Sequence, residues 1–290
     1  MDTGTLTAPF RYRRFDAPMG AEIVGLDLAH PLDEATFAAV RRAFLDSEGV
    51  LILRDQQITP EQHIGFSRRF GPLMIHVLRQ FLLPGHPEIL LVSNVIENGK
   101  PIGLGDAGRY WHSDLSYAAE PSLGSLLHAQ QIPAEGGDTS FANMYAAYEA
   151  LPPDIKRRLH GKRAVHSYRK SYERMAGSTW RPPLTEAQKE EVQAVTHPVV
   201  RTHPETGRQA LFVNEGFTVR ILDVPDEESS ALLDLLFAHS TEERFRYRHV
   251  WREHDLVFWD NRCAIHLAHG CPPELRRHMH RTTVQGDIPA

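Results

Sequence analysis

The chain is poor in cysteine and contains neither a long apolar run nor a strong excess of one charge. Two cysteines, Cys263 and Cys271, in 290 residues do not supply a disulfide framework. No apolar stretch approaches the roughly 20 residues needed to span a bilayer, and the N-terminal stretch MDTGTLTAPFRYRRF lacks the apolar centre of a secretory signal. The net charge of −5 gives no general attraction to nucleic acid or to anionic membranes. We therefore expect a cytoplasmic protein with no nucleic-acid or membrane partner.

The N-terminal part, residues 1–75, has the pattern of mixed α/β structure. Asp33 is a suitable N-cap for a helix in LDEATFAAVRRAFLDSEGV, and VLILR (50–54) has the composition of a buried strand. A second helix is predicted in TPEQHIGFSRRFG, where Thr59 begins a capping box.

From about residue 88 the pattern changes to short apolar strands separated by turn residues, with helical segments at 143–160 and 225–240. Many short strands indicate a sandwich or barrel rather than a sheet of βαβ units. We predict a single domain over residues 1–290, mostly β with flanking helices. Residues 166–190 are polar, contain Gly and Pro and show no strand period, so we predict that they form an inserted lid.

Histidine is abundant, with 17 residues, and one of them stands beside an aspartate in GRYWHSDLSY (108–117). His112 and Asp114 are separated by one residue, as in many metal sites, since imidazole and carboxylate are common ligands. The same triplet also arises by chance as two polar residues of a surface strand. The pair alone leaves both interpretations open.

The C-terminal segment supplies a third candidate ligand and a candidate anion-binding residue. His266 lies in the apolar segment CAIHLA, with His269 as a competitor three residues on. Arg281 follows in HMHRTTV, which has the pattern of a strand entering the core. Because burying an unpaired guanidinium costs several kcal/mol, an acid is its natural partner. Asp260 and Asn261 follow a predicted strand, and for them we expect a role in forming the turn.

Five segments together resemble one known family, that of taurine dioxygenase and 2,4-dichlorophenoxyacetate dioxygenase. These are non-haem Fe(II), 2-oxoglutarate-dependent oxygenases. The matching segments occur in the family's order and are FSRRFGPL (66–73), WHSDLSY (111–117), EGGDTSFANMYAAYEALP (135–152), WDNR (259–262) and HMHRTTVQGD (278–287). The resemblance implies a double-stranded β-helix, or jelly roll, as the core of the fold.

The same resemblance implies the ligands of an Fe(II) ion. His112, Asp114 and His266 match the facial triad, which leaves three positions of the ion open for a chelating 2-oxo acid and for O₂.

The resemblance also implies a co-substrate site. Arg281 matches the arginine that pairs with the far carboxylate of 2-oxoglutarate, and Thr139 matches the threonine whose hydroxyl assists it. Arg277 matches a second arginine of the same pocket.

For the primary substrate, the resemblance implies a small organic anion. His76 stands where taurine dioxygenases carry a histidine that contacts the sulfonate, and Arg169 in the lid is a further candidate for the anion. Gly108 replaces an asparagine of the taurine enzymes, which favours a substrate larger than taurine. We expect hydroxylation of a sulfonate, sulfate ester or aryloxyalkanoate next to its heteroatom, giving succinate, CO₂ and a carbonyl product. We also expect a homo-oligomer, either a dimer or a tetramer.

Two other classes of function remain open at this point. A zinc-type hydrolase uses similar ligands and an activated water, although Arg281 and Thr139 would then have no role. A non-catalytic jelly-roll binding module needs no triad at all.

Overall fold

The computed structural model describes residues 9–175, 177–178, 180 and 183–290. Most of its regular structure is β-strand. The strands are β1 (Arg11–Arg14), β2 (Ala21–Val24), β3 (Val50–Leu53), β4 (Leu82–Leu83), β5 (His86–Ser93), β6 (Ile96–Glu97), β7 (Lys100–Pro101), β8 (Ser122–Gln131), β9 (Thr139–Asn143), β10 (Arg163–His166), β11 (Val195–Pro198), β12 (Val200–Thr202), β13 (Gln209–Leu211), β14 (Thr218–Ile221), β15 (Arg246–His249), β16 (Leu256–Asp260), β17 (Ala264–Ala268) and β18 (His278–Gln285).

The helices flank the sheets. They are α1 (Glu34–Asp46), α2 (Pro60–Arg68), α3 (Met144–Glu149), α4 (Pro153–Leu159), α5 (Tyr168–Arg174), α6 (Glu186–Glu191) and α7 (Asp226–Ser240), with 3₁₀ turns at Arg79–Phe81 and Glu243–Phe245. In the described part of the chain, no helix is both long and apolar enough to cross a membrane.

Two sheets carry the residues of interest. The larger has the order β1-β2-β3-β16-β8-β18-β5-β4, and the smaller has the order β15-β9-β17. Strands β16 and β17 are consecutive in the chain but belong to different sheets, so the turn between them crosses from one sheet to the other. The N-terminal strands join the larger sheet through the antiparallel pairing of β3 with β16.

The hydrophobic core fills the space between the two sheets and also the space beneath α1. Val50 and Ile52 of β3 pack with Phe141 of the smaller sheet, whereas Leu51 and Leu53 pack in the cluster that contains α1 residues. Because successive side chains of a strand point to opposite faces, a strand covered on both faces has to be apolar at every position. This explains why β3, with the sequence VLIL, is an unbroken apolar run.

The local predictions for the N-terminal part are confirmed. The Asp33 side chain accepts the backbone N–H of Thr36 at the start of α1, and Thr59 forms a capping box at the start of α2. The region predicted to be helical at 143–160 is divided into α3 and α4. Pro152 and Pro153 stand at the break, since proline has no backbone N–H to continue a helix.

Residues 166–190, predicted to form a lid, begin at the last residue of β10 and include α5 and most of α6. Within that range, residues 176, 179, 181 and 182 lie outside the described residues.

Candidate active site

The two histidines of the predicted triad face each other across a pair of backbone hydrogen bonds. The His112 N–H donates to the His266 carbonyl over 3.0 Å, and the His266 N–H donates to the His112 carbonyl over 2.8 Å. His266 lies on β17 of the smaller sheet, and its ring is 4.0 Å from that of His112 between centroids. Asp114 follows two residues after His112, so that one ligand atom from each of the three lies within 4.8 Å of the others. The fold therefore assembles the three residues that the sequence singled out.

The protonation of both imidazoles suits a metal ion. His112 Nδ1 lies 2.9 Å from the carbonyl of Tyr110 and 3.0 Å from that of His266, so Nδ1 carries the proton and Nε2 keeps its lone pair. Burial, together with the neighbouring His112, holds the pKa of His266 well below its ordinary value. The His266 ring is thus neutral near pH 7, as a metal ligand must be.

Asp114 is an ionised carboxylate in a buried position. Burial alone would raise its pKa, but the Arg281 guanidinium, with the His266 and His112 imidazoles also in contact, holds that pKa well below the ordinary value. Arg281 Nη1 donates to Oδ1 over 2.9 Å, and the Ser125 hydroxyl donates to Oδ2 over 2.7 Å. Two neutral imidazoles and one carboxylate are a donor set that Fe(II) accepts.

A shallow recess opens beside His112 and Asp114, and we call it the aromatic recess. Its polar lining includes His76 and Arg281. Its apolar lining is largely aromatic and includes Tyr110, Tyr117, Tyr168 and Phe217. The rings pack against one another, with 4.9 Å between the centroids of Tyr117 and Phe217.

A second group lies around Arg277, and we call it the Arg277 chamber, formed by Arg277, Thr139, Trp251 and Gly137. The guanidinium lies 5.9 Å from the Trp251 ring, whose indole N–H donates to the Thr139 hydroxyl over 3.0 Å. Arg277 Nε donates to the Gly137 carbonyl. Burial lowers the pKa of Arg277 to about 10, as expected for a buried cation that has no carboxylate partner among the described residues.

The Arg277 chamber borders the strand that carries His266. Thr139 precedes Phe141 by two residues on β9, so their side chains share one face of the sheet. Phe141 is the strand partner of His266, and its ring stacks on the imidazole at 6.0 Å. The Thr139 hydroxyl therefore lies on the His266 face, roughly 7 Å along the strand.

Comparison with known proteins agrees with this geometry. Residues 11–283 match the family described as "Taurine catabolism dioxygenase TauD, TfdA family". The chain is 36% identical over 284 residues to pentalenolactone F synthase of Streptomyces arenae, with 94% of each chain covered. It is 34% identical over 278 residues to the α-ketoglutarate-dependent 2,4-dichlorophenoxyacetate dioxygenase of Cupriavidus pinatubonensis, with 92% of this chain and 94% of the relative covered.

A solved structure is similar over nearly the whole length. The structure of AAD-2 in complex with Mn(II) and N-oxalylglycine gives a TM-score of 0.80 at 31% identity, with 97% of this chain and 98% of that chain covered.

The chain belongs to the TauD/TfdA family. The predicted class of enzyme, an Fe(II)- and 2-oxoglutarate-dependent dioxygenase, is thereby confirmed, and Fe(II) and 2-oxoglutarate are its cofactor and co-substrate. Such an enzyme acts on a small molecule with 2-oxoglutarate and O₂.

Within this TauD/TfdA protein, Arg169 lies away from the aromatic recess. Its side chain is 83% exposed and pairs with Glu173 one helical turn further on. The reason is helical geometry: Tyr168, one residue earlier on α5, turns into the recess, and the next position points about 100° away from it. Arg169 therefore does not reach the predicted anion site.

Gly108 takes part in shaping the site through its backbone. It has φ of +71°, and a Cβ placed on it would lie 2.9 Å from His112 Cε1. Both the left-handed conformation and the close approach to the ligand ring favour glycine here.

Asp260 does more than form a turn. Its carboxylate accepts two hydrogen bonds from Arg262, Nε to Oδ1 over 2.8 Å and Nη2 to Oδ2 over 2.7 Å, and lies 3.1 Å from His203 Nε2. His203 and Asp260 form a second cluster of possible ligands with Cys263. Because a guanidinium already neutralises the carboxylate, this cluster has the chemistry of a structural ion pair and does not need a metal.

Asn261 and Ser125 are contacts of the site that the sequence did not reveal. The turn expected at Asn261 is present, but its side chain also accepts the backbone N–H of Asp114. Ser125 bonds to the Asp114 carboxylate from β8, more than ten residues away in the chain. The motif WDNR was the available signal for Asn261, whereas Ser125 had none.

Proposed function

We propose that the enzyme hydroxylates a small organic anion with an apolar body, such as an aryloxyalkanoate, a sulfonate or a sulfate ester. The observation that carries this proposal is the aromatic recess beside the triad, where one guanidinium, that of Arg281, stands among aromatic rings. Hydroxylation next to the heteroatom gives an unstable product that releases the heteroatom group and leaves a carbonyl compound. 2-Oxoglutarate becomes succinate and CO₂ in the same turnover. The 2,4-dichlorophenoxyacetate of one relative's name is an anion of this kind.

His112, Asp114 and His266 would hold the iron in this proposal. Three ligands leave half of an octahedral ion open for the co-substrate and O₂, and the iron would supply the oxidising power that an unactivated C–H bond requires. Burial keeps the His266 imidazole neutral, and the Arg281 guanidinium keeps the Asp114 carboxylate charged, so both are ready to bind the ion.

We assign the far carboxylate of 2-oxoglutarate to Arg277 and Thr139. Arg277 is buried and has no carboxylate partner among the described ion pairs, so an incoming carboxylate would relieve an unfavourable burial. The Thr139 hydroxyl lies in the same chamber, on the His266 face of the sheet. The family resemblance had assigned this carboxylate first to Arg281, and that assignment is untested. The contacts favour Arg277, because Arg281 already bonds to Asp114.

We assign the anionic group of the primary substrate to Arg281 and His76. Both line the aromatic recess. Arg281 Nη1 bonds to Asp114, but its buried Nε has no hydrogen-bond partner among the described residues. His76 Nδ1 accepts the backbone N–H of Leu78 over 3.1 Å, which orients the ring within the recess.

The aromatic lining argues against taurine as the preferred substrate. Taurine carries an ammonium group, and Gly108 offers no side chain to bind it where the taurine enzymes have an asparagine. A missing polar partner can cost orders of magnitude in specificity, whereas the rings of Tyr117 and Phe217 favour an apolar body.

A substrate panel tests the proposal. Succinate release would be measured with aryloxyacetates and aryloxypropionates, alkyl sulfonates of increasing length, sulfate esters and taurine. Amides of the same acids serve as uncharged controls of matched shape. We expect the best substrate to be an anion larger than taurine. If taurine gives the highest kcat/KM, the interpretation of Gly108 is wrong, and if only the amides react, the anionic substrate is excluded.

The same assay separates the rival classes. A zinc-type hydrolase or a binding module consumes no O₂ and releases no succinate, so substrate-dependent succinate formation excludes both.

The remaining predictions from sequence are part of this proposal. We propose one catalytic domain with a jelly-roll core formed by the two main sheets, supported by the strand pairings that bring β17 to His112. The lid at 166–190 is supported by Tyr168, which contributes to the recess from α5. The homo-oligomer and the cytoplasmic location stay predictions.

A further inference from the structure

Asn261 contacts the surroundings of two proposed metal ligands. It is 1% exposed and lies in the turn between β16 and β17. Its Oδ1 accepts the backbone N–H of Asp114 over 3.0 Å and the indole N–H of Trp259 over 3.1 Å. The Trp259 ring in turn lies 4.7 Å from the ring of His266. One buried amide therefore connects to Asp114 directly and to His266 through an indole.

The orientation of this amide decides the direction of the next hydrogen bonds. Because Oδ1 faces two N–H groups, Nδ2 is the donor on the other side. Nδ2 donates to the hydroxyls of Ser122 over 3.0 Å and of Ser125 over 3.3 Å. Ser125 Oγ thus accepts from Asn261, and its single hydrogen is left for Asp114 Oδ2, 2.7 Å away.

The Ser125 hydrogen bond restrains the last side-chain torsion of Asp114. This torsion has little intrinsic preference for any one angle. The last torsion of an aspartate is broad and roughly two-fold, so the plane of the carboxylate is set by its partners. Ser125 occupies Oδ2 from one side, while Oδ1 is the oxygen closer to His112 Nε2, at 3.6 Å. Residues that hydrogen-bond to a metal ligand, without contacting the metal themselves, orient that ligand before the ion binds.

We propose that Asn261 and Ser125 are positioning residues that fix the plane of the Asp114 carboxylate for metal binding. The chain is Asn261 Nδ2–H to Ser125 Oγ, and Ser125 Oγ–H to Asp114 Oδ2. This inference rests on the metal site of the proposed function, and it assigns to these two residues a role beyond the turn and the packing of β8.

Ser122 provides a matched control. Like Ser125 it is a buried serine of β8 that accepts a hydrogen bond from Asn261 Nδ2. Its own hydrogen goes to the Gly124 carbonyl over 3.0 Å, and it does not contact Asp114 among the described hydrogen bonds. Ser122→Ala and Ser125→Ala remove the same atoms from neighbouring positions, but only the second removes a contact of the proposed ligand.

The experiment measures Mn(II) binding to the purified full chain by the loss of the free-ion EPR signal, and the thermal midpoint of each metal-free protein. Wild type should bind one Mn(II) per chain. We expect Ser125→Ala to raise the dissociation constant about tenfold or more, as contacts of metal ligands commonly do. Ser122→Ala should change it less than about threefold, with both metal-free variants melting at similar temperatures.

The possible outcomes distinguish a failure of the positioning role from a failure of the metal site on which that role rests. If wild type does not bind Mn(II), the proposed metal site fails, and the positioning role fails with it. If wild type binds but the two serine variants bind equally well, the metal site stands and the positioning role is overturned. A loss of affinity in Ser125→Ala that is matched by an equal loss in Ser122→Ala also overturns it.

Discussion

Arg277 and Arg281 are four residues apart, yet they belong to different surroundings. Arg281 bonds to the Asp114 carboxylate and lines the aromatic recess with His76. Arg277 bonds to the Gly137 carbonyl beside Thr139 and Trp251, and its pKa is lowered to about 10 by burial. Arg281 is already neutralised by a carboxylate, whereas Arg277 is buried without a carboxylate partner in the described part of the chain.

The difference shows that the role of a buried guanidinium depends on whether a carboxylate lies within hydrogen-bond distance of it. A buried charge without a partner is costly, which is why we propose that the Arg277 chamber receives an anion from outside the described residues. The recess around Arg281 holds the pair with Asp114 and is lined by His76 and by aromatic rings, which is why we propose for it a ligand with both an anionic and an apolar part.

The largest effect is expected at the triad, which both surroundings share. His266→Ala should reduce succinate formation below detection and abolish stoichiometric Fe(II) binding, because two ligands remain. With Fe(II) and 2-oxoglutarate in the absence of air, wild type should develop a weak visible charge-transfer band that the variant lacks. His269→Ala is the matched control, since His269 Nε2 pairs with Ser140 and not with the triad. Full activity of His266→Ala would remove this residue from the site.

The next-largest effect is expected from a substitution in the Arg277 chamber. Arg277→Gln should raise the KM for 2-oxoglutarate at least tenfold, because a charge-assisted pair contributes about 1.5–3 kcal/mol. The KM for the primary substrate should change much less. Steady-state kinetics with each substrate varied in turn would measure both.

Arg281→Gln is the reciprocal experiment, with a smaller expected change. The KM of an anionic substrate should rise by roughly tenfold, while the KM for 2-oxoglutarate stays within about threefold. Arg281→Lys keeps the charge but not the planar guanidinium. Its KM for the anionic substrate should therefore lie between those of wild type and Arg281→Gln. If Arg281→Gln instead raises the KM for 2-oxoglutarate more than Arg277→Gln does, the assignments of the two arginines are reversed.

The smallest effect is a pH dependence of stability on the recess side. Burial lowers the pKa of His166 to about 3 and that of His197 to about 4. The two bond to Ser116 and Ala118, on either side of Tyr117 in the recess wall. Below an unfolded pKa of about 6.5, the unfolded chain binds protons that the folded chain does not, so stability falls as the pH falls from about 6.5 to about 4. The slope is about 1.4 kcal/mol per pH unit for each histidine.

Urea unfolding between pH 7.5 and 5 would measure this slope. A double variant, His166→Gln with His197→Gln, should make the slope shallower, while other buried histidines such as His63 and His280 keep part of it. Replacement of the exposed His30 by Gln should leave the slope unchanged. A midpoint that is independent of pH in wild type would contradict the expectation.

Much of the fold and the metal-binding triad could be predicted from the sequence. The features that predicted them were contacts within a few residues or motifs that follow one another in a fixed order along the chain. The caps at Asp33 and Thr59 are contacts within one helical turn, and the apolar run of β3 records burial on both faces. His112, Asp114 and His266 stood in motifs whose order along the chain matched one family. Arg169 was predicted to contact the anion but lies at the surface, paired with Glu173. The direction of a helical side chain depends on which of its neighbours is buried, and the sequence alone did not show that.

The residue types, their order and the local caps were determined by the sequence itself, since propensity and periodicity act within a few residues. The separation of Arg277 from Arg281, and the contact of Ser125 with Asp114, were decided only by the tertiary structure. Strands β8, β9 and β18 bring together side chains that are distant in the chain, and the charge and burial around each depend on that assembly. A guanidinium has the same formula at both positions, and only its folded surroundings give it a carboxylate or leave it without one.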